Sequence, residues 1–175
     1  MNRMLALAGL ILLSPLFFIV IATILLVDGV NPIFTQQRLG LHEQCFKIFK
    51  FRTMNDEGHT RLGGLLRKTH LDELPQLVNI LAGKMTFIGP RPLLCSYKGQ
   101  FSPSESRRHT VLPGITGLAQ VLGGKSISWE QQFLLDRVYV TYKSLALNFW
   151  IIWQTLKAIG QSNANSAIEI RKWER

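Results

Sequence analysis

The stretch RKTHLDELPQL (67–77) sets two carboxylates, Asp72 and Glu73, side by side just ahead of a proline. Adjacent carboxylates repel, so one of them holds its proton more readily than the other. That permits a division of labour, with one ionised nucleophile or metal ligand and one acid or base. The plain structural alternative is that Asp72 caps a helix and Glu73 complements its dipole. Four cations elsewhere sit at local structural devices. Lys50 and Arg52 fall at a strand end, Arg67 on an amphipathic segment and Arg91 between two prolines. Arginine binds phosphate through two parallel N–H donors. An acidic pair among such groups points to phosphoryl chemistry on a nucleotide or lipid phosphate, with Mg²⁺.

These groups need elements to hold them. A proline is costly deep in a helix and harmless in its first turn, so Pro75 predicts a helix starting at Asp72 or Glu73. Asp72 is then the N-cap, at the positive end of the dipole, where a carboxylate stays ionised and a phosphate is drawn. Leu74, Leu77, Val78 and Leu81 keep helical spacing, and Gly83 is a stop. Residues 85–88 read as a short strand, and Gly89-Pro90-Arg91-Pro92 is held extended.

Upstream, the aromatic and β-branched residues after Pro32 predict a β-hairpin turning at Leu39-Gly40. Phe46, Ile48, Lys50 and Arg52 share one face of its second strand, so Lys50 and Arg52 project together. Residues 60–68 form a short amphipathic segment suited to a membrane interface, with Leu62, Leu65 and Leu66 on one side and the Gly63-Gly64 pair weakening it. Residues 95–112 read as a surface connection, and residues 113–117 as a rigid turn. One helix is expected from Ser128 to Lys143 and a last one from Leu145 to Ile159. The last carries Phe149, Trp150 and Trp153, which serve either a membrane-interface belt or core packing. The tail from Gln161 is polar.

From Met4 to Val27 no residue is charged. As one helix this run extends roughly 36 Å, enough for a hydrocarbon core of about 30 Å, and it is too long for a signal-peptide core. The chain is expected to be membrane-bound. Ser14-Pro15 breaks the middle of the run, and the Ser14 hydroxyl can serve a carbonyl freed there. Residue pattern alone prefers a kinked spanning helix over a helix-break-helix that enters and leaves by one face. The excess of cations after the run places the main domain in the cytoplasm. The formal charge of +9 favours anionic partners. Cys45 and Cys95 show no CxxC spacing and the histidines make no ligand pair, so two reduced thiols, no disulfide framework and no zinc site are expected.

These stretches together resemble the bacterial sugar transferases, the small monotopic phosphoglycosyl transferases. The resemblance runs through the apolar run with Ser14-Pro15, FTQQRLG (34–40), FKIFKFRTM (46–54), LRKTHLDELPQLVNILAGKMTFIGPRP (66–92), PGITGLAQV (113–121) and SWEQQFLLDRVYV (128–140). It implies transfer of a phospho-sugar from a nucleoside diphosphate sugar, usually a UDP-sugar, to polyprenol phosphate, with release of UMP. It implies a ping-pong mechanism in which Asp72 becomes a phospho-sugar ester, Glu73 acts as acid/base or metal-site support, and Mg²⁺ is held at Asp72. The phosphate-binding basic residues fall on Arg67, Arg91 and Lys50. The family's Ser-Pro break implies a re-entrant helix, reversing the preference for a spanning one. The site then faces the cytoplasm at the inner leaflet of a bacterial cytoplasmic membrane.

The expected fold is α+β and mainly helical. It has a re-entrant membrane helix (1–30), a cytoplasmic catalytic domain with a short hairpin and amphipathic interfacial helices (31–160), and a polar tail (161–175). The chain departs from the family pattern at Ala6 and Leu7, at Lys84, at Gly124 with Lys125 adjacent, and at Asn148. The changes at 124 and 148 support an alternative reading, a catalytically weak membrane scaffold that recruits glycosyltransferases. A nucleic-acid binder would use the charge and leave the acidic pair and Arg91 unexplained, so no nucleic-acid partner is expected.

Overall fold

Pro15 has no N–H to give the carbonyl four residues back, which is that of Ile11. The computed structural model breaks the apolar run there, into α1 (Asn2–Leu12) and α2 (Ser14–Thr23), and describes residues 1–55, 58–123 and 127–160. Ser14 Oγ donates to the stranded Ile11 carbonyl at 2.8 Å, the service expected of that hydroxyl. A π-helical turn, Ile24–Asp28, extends α2. The two arms meet at 59°, and no single helix is long and apolar enough to cross a membrane.

The chain forms two compact units. The first joins Met1–Arg38 to Cys45–Met85; the second joins Leu39–Gln44 to the chain from Thr86 on. In the first, β1 (Ile33–Leu39) and β2 (Cys45–Phe51) pair in a two-stranded sheet. Only five residues link them, so the pair is the expected hairpin. Its turn is not at Leu39-Gly40 alone: a 3-10 turn, Leu41–Glu43, carries it, with His42 and Glu43 at positive φ. A two-residue ribbon follows, β3 (Met54–Asn55) with β4 (Gly58–His59). Then come α3 (Gly63–Lys68) and α4 (Gln76–Leu81).

The core of this unit is built on Val20, Ile24, Phe51 and Leu66, with Phe17, Leu62, Leu71 and Leu74 packed against it. Leu62 and Leu66 face inward, whereas Leu65 is exposed, so the three leucines do not share one side. α1 lies along α4: Ala6 is fully buried and Gly9 faces Leu77. Gly83 ends α4 at φ +73, and the Arg3 guanidinium fills the space a side chain would need there. At the far end of the broken run, Asp28 Oδ1 accepts the Arg61 N–H at 2.8 Å.

In the second unit β5 (Thr86–Ile88) pairs in parallel with β6 (Gly114–Thr116), in register Thr86 to Gly114. The expected rigid turn at 113–117 is therefore largely a strand. Between the two strands, residues 95–112 are not a plain surface connection. They hold α5 (Pro103–Ser106), capped by Ser102, and 3-10 turns that bury Arg108 and His109. Beyond β6 come α6 (Leu118–Gly123), α7 (Trp129–Tyr142) and α8 (Leu145–Gly160). Ser128 caps α7 in a reciprocal pair with Gln131. Leu118, Leu122, Leu135, Tyr139 and Ile151 form the main core. α8 leaves Leu145, Phe149, Trp153 and Leu156 exposed, with Lys157 Nζ 5.2 Å from the Trp153 ring centroid.

Neither cysteine is a free thiol, against the expectation of two reduced ones. A search for short Cys spacings carries no information on long-range pairing.

Candidate active site

The sequence Leu71-Asp72-Glu73-Leu74 alternates anchors and acids. Leu71 and Leu74 pack into the apolar cluster of the first unit, and the acids between them are held where the leucines fix the backbone. The local geometry is not the expected helix start. His70 turns the chain at φ 57, ψ 14, and a 3-10 turn, Leu71–Glu73, follows. Pro75 then opens α4 as its N-cap residue, where the missing N–H breaks no helical bond. Asp72 lies inside the 3-10 turn and caps nothing with its side chain. α4 has six residues, so a macrodipole argument has little to act on. The buried face of α4 is also rotated from the expected stripe: Val78 points out, while Gln76, Leu77, Asn79 and Ile80 are buried.

Asp72 is 8% exposed. Among the described residues it makes no hydrogen bond and no ion pair. Burial pushes its carboxyl above the usual carboxylate range, and the neighbouring Glu73 charge adds to this. Lys50, His70 and Arg67 pull the other way. Glu73 is engaged: its Oε1 accepts from Lys50 Nζ at 2.6 Å, both side chains being largely buried. A charge-assisted contact this close and shielded positions Glu73.

Arg67 Nε donates to Thr53 Oγ1 at 2.8 Å, and no other bond engages its guanidinium among the described residues. Gly63 makes that reach possible, because a Cβ there would collide with the Thr53 carbonyl. The Gly63-Gly64 pair, which weakens a helix in isolation, thus serves close approach. Arg52 does not project with Lys50. β2 ends at Phe51, and Arg52 turns to the Asn31 carbonyl, 2.8 Å away, with its guanidinium 5.9 Å from the Phe34 ring centroid.

Sequence reasoning missed Asn79. Its amide spans two rungs of β2, Nδ2 donating to the Lys47 carbonyl at 2.7 Å and Oδ1 accepting the Phe49 N–H at 3.0 Å. This clip sets the register between the strand carrying Lys50 and the helix that follows Asp72-Glu73. Its signal was present: a lone amide within the apolar run LVNIL, where a buried polar group must find partners.

The structure brings Lys50, Arg67, Asp72 and Glu73 together in the first unit. Arg91 belongs to the second unit, where it is exposed at the tip of the proline-clamped loop. Asn148 is half-buried there, its Oδ1 accepting the Tyr139 hydroxyl at 3.0 Å. The same hydroxyl lies 3.0 Å from the Ile88 carbonyl oxygen. Gly124 and Lys125 lie outside the described residues. No cluster of three metal-ligating side chains occurs among the described residues. Mg²⁺ does not require one, since it is commonly held by one or two carboxylates plus substrate phosphates. Asp72, unpartnered among the described residues and beside Glu73, fits that donor set.

The bacterial sugar transferase family model matches residues 1–162. The chain is 41% identical over 158 residues to an uncharacterized sugar transferase, EpsL, of Bacillus subtilis, covering 83% of this chain and 78% of that protein. It is 31% identical over 185 residues to the exopolysaccharide production protein ExoY of Sinorhizobium fredii, covering 89% and 82%. It is 38% identical over 168 residues to the UDP-glucose:undecaprenyl-phosphate glucose-1-phosphate transferase of Klebsiella pneumoniae, covering 86% of this chain and 36% of that longer protein. With a family match over nearly its whole length, the chain belongs to the bacterial sugar transferases.

Proposed function

We propose that this protein transfers a sugar phosphate from a nucleoside diphosphate sugar, a UDP-sugar, to a polyprenol phosphate at the inner leaflet of the bacterial cytoplasmic membrane, releasing UMP. The observation that carries this reading is Asp72: a buried carboxylate with no hydrogen-bond or ion-pair partner among the described residues, flanked by Arg67 and by the Lys50–Glu73 pair. A carboxylate kept for structure is normally hydrogen-bonded or paired when buried. The name of the Klebsiella relative, which pairs UDP-glucose with undecaprenyl phosphate, supports the substrate classes.

In the first half-reaction an Asp72 oxygen attacks the β-phosphorus of the donor. The phosphoanhydride bond breaks, and UMP departs with the bonding electrons. The sugar phosphate is left esterified to Asp72. In the second, a phosphate oxygen of the polyprenol phosphate attacks the same phosphorus, and the Asp72 carboxylate leaves. One difficult displacement is divided into two. Arg67, Arg91 and Lys50 offset phosphate charge, and Glu73 holds Lys50 in place and acts as the acid/base group beside the nucleophile. Mg²⁺ held at Asp72, when bound, would neutralise charge on the diphosphate.

A re-entrant α1–α2 pair is the membrane anchor in this reading. Both ends of the broken run return to the first unit, Arg3 at Gly83 and Asp28 at the Arg61 N–H. A span across about 30 Å of hydrocarbon would separate those ends. The exposed Phe149 and Trp153 of α8, with Lys157 beside Trp153, are suited to the headgroup layer.

The test is UMP release by the purified protein with Mg²⁺, polyprenol phosphate and a panel of UDP-sugars. At least one sugar should release UMP, and Asp72→Asn should lower the rate by about 10⁴-fold or more, the scale for loss of a covalent nucleophile. No UMP from any sugar, or equal release by the variant, overturns the proposal.

A further inference from the structure

The loop Gly89-Pro90-Arg91-Pro92 has little means of fixing itself. Two of its four residues have no N–H to give. Two of its carbonyls, those of Pro90 and Arg91, are taken by donors from elsewhere in the second unit. Pro90 O accepts the Gly114 N–H at 3.0 Å, and the Gly89 N–H reaches Thr116 O at 2.9 Å, which ties the loop to β6. The Arg91 carbonyl lies beyond that ladder. Its donor is Arg108 Nη2, at 2.6 Å.

Arg108 is 2% exposed. Its guanidinium lies 5.3 Å from the Phe133 ring centroid and its Nη2 is 2.9 Å from Asp136 Oδ2. Phe133 and Asp136 are three apart on α7, so both occupy one helix face. The pair is in ionic contact without being ideally satisfied, since Arg108 Nη1 and Asp136 Oδ2 have no aligned hydrogen-bond partner. Burying two charges with orphaned atoms is a poor way to gain stability; well-packed apolar residues usually serve as well or better. What an apolar pair cannot do is donate to the Arg91 carbonyl. A lysine could not hold the planar fork over Phe133 and reach the same oxygen.

We propose that Arg108, with Asp136 as its counter-ion, is a positioning residue for the transfer reaction: it fixes the backbone of Arg91 and so the direction in which the Arg91 side chain meets substrate phosphate. The physical link is a single torsion. Pro92 confines Arg91 to extended backbone, and within that range the orientation of the Arg91 carbonyl is its ψ. A bond to that carbonyl therefore sets where Cβ points relative to β5 and β6. The proposal rests on the reading of Arg91 as a phosphate-binding residue.

The experiment measures KM and kcat with the UDP-sugar that gives the fastest UMP release, for full-length Arg91→Ala, Arg108→Lys, Asp136→Asn and Arg91→Ala/Arg108→Lys, with melting temperatures alongside. Arg91→Ala should raise KM about tenfold or more, as for loss of a hydrogen bond to a charged group. Arg108→Lys and Asp136→Asn should raise KM by about three- to tenfold at nearly unchanged kcat. In the Arg91→Ala background Arg108→Lys should add nothing, since the two act through one group. If Arg108→Lys does not fold, the shape-preserving Asp136→Asn decides. Wild-type KM in the folded Arg108 and Asp136 variants, or additive effects in the double variant, overturns the positioning role while the transferase reading stands. Wild-type KM in Arg91→Ala instead overturns the assignment of Arg91, and the proposal with it.

Discussion

Burial and the adjacent Glu73 charge both favour the proton on Asp72, whereas Lys50, His70 and Arg67 favour the anion. A nucleophile must be the anion, so the cations matter for attack and not only for binding. The sign is testable. Lys50→Met removes a charge that lowers the Asp72 titration and also releases Glu73, so ionisation of Asp72 should move to higher pH. The acid limb of the rate of UMP release should shift in the same direction; a limb that stays or moves to lower pH would remove Lys50 from this role. The acidic pair stood out in the sequence because the chain is otherwise so basic, whereas the nucleophile role proposed for Asp72 came from the resemblance and not from the spacing. The electrostatics of the pair were not legible. The prediction of an ionised Asp72 at a helix N-terminus assumed a helix that starts there. The Lys50–Glu73 pair joins residues 23 apart, and only the hairpin register and the Asn79 clip bring them together.

At the scale of elements, proline was the most readable residue. Ser14-Pro15 predicted a break and a hydroxyl serving a freed carbonyl, and both occur. Pro75 predicted a helix start and was right about α4, displaced by three residues, because sequence does not distinguish a 3-10 turn from the first turn of an α-helix. Which way the broken run turns was not legible in the residue pattern, which prefers a kinked span; the re-entrant pair was implied by the family resemblance alone. The contacts of Arg3 and Asp28 with the first unit favour the re-entrant pair. Single cysteines at Asn2→Cys and Lys98→Cys, in a Cys45→Ser/Cys95→Ser background, test this with an impermeant maleimide on sealed vesicles. Both should be labelled from the same side. Labelling from opposite sides would refute re-entrance and require a span.

Over the whole molecule, the two units are each held together by different physics. The first gathers the acidic pair and most of its cations around a core shared with the broken apolar helix, so Asp72 and the bent apolar pair belong to one folded body. The second carries Arg91 on a loop fixed by a buried ion pair, together with the aromatic face of α8. Its buried His109 is held neutral, burial and the Arg108 charge pushing its titration down to about 4, so this unit has a reason to resist acid poorly. Sequence made the reaction class legible through the resemblance, whereas the partition into units follows from long-range packing that no local pattern encodes. In the proposed reaction the nucleotide-sugar donor and the lipid acceptor meet one carboxylate in turn, which is what ping-pong chemistry requires. The direct measurement is the first half-reaction alone. Purified protein is mixed with Mg²⁺ and the active UDP-sugar, with no polyprenol phosphate, and followed by UMP release and intact mass. A burst of UMP approaching one equivalent per protein is expected, with a mass increase of one sugar phosphate that maps to the peptide containing Asp72 and is absent in Asp72→Asn. UMP release only after acceptor is added, or an adduct that persists in Asp72→Asn, would contradict the proposed reaction.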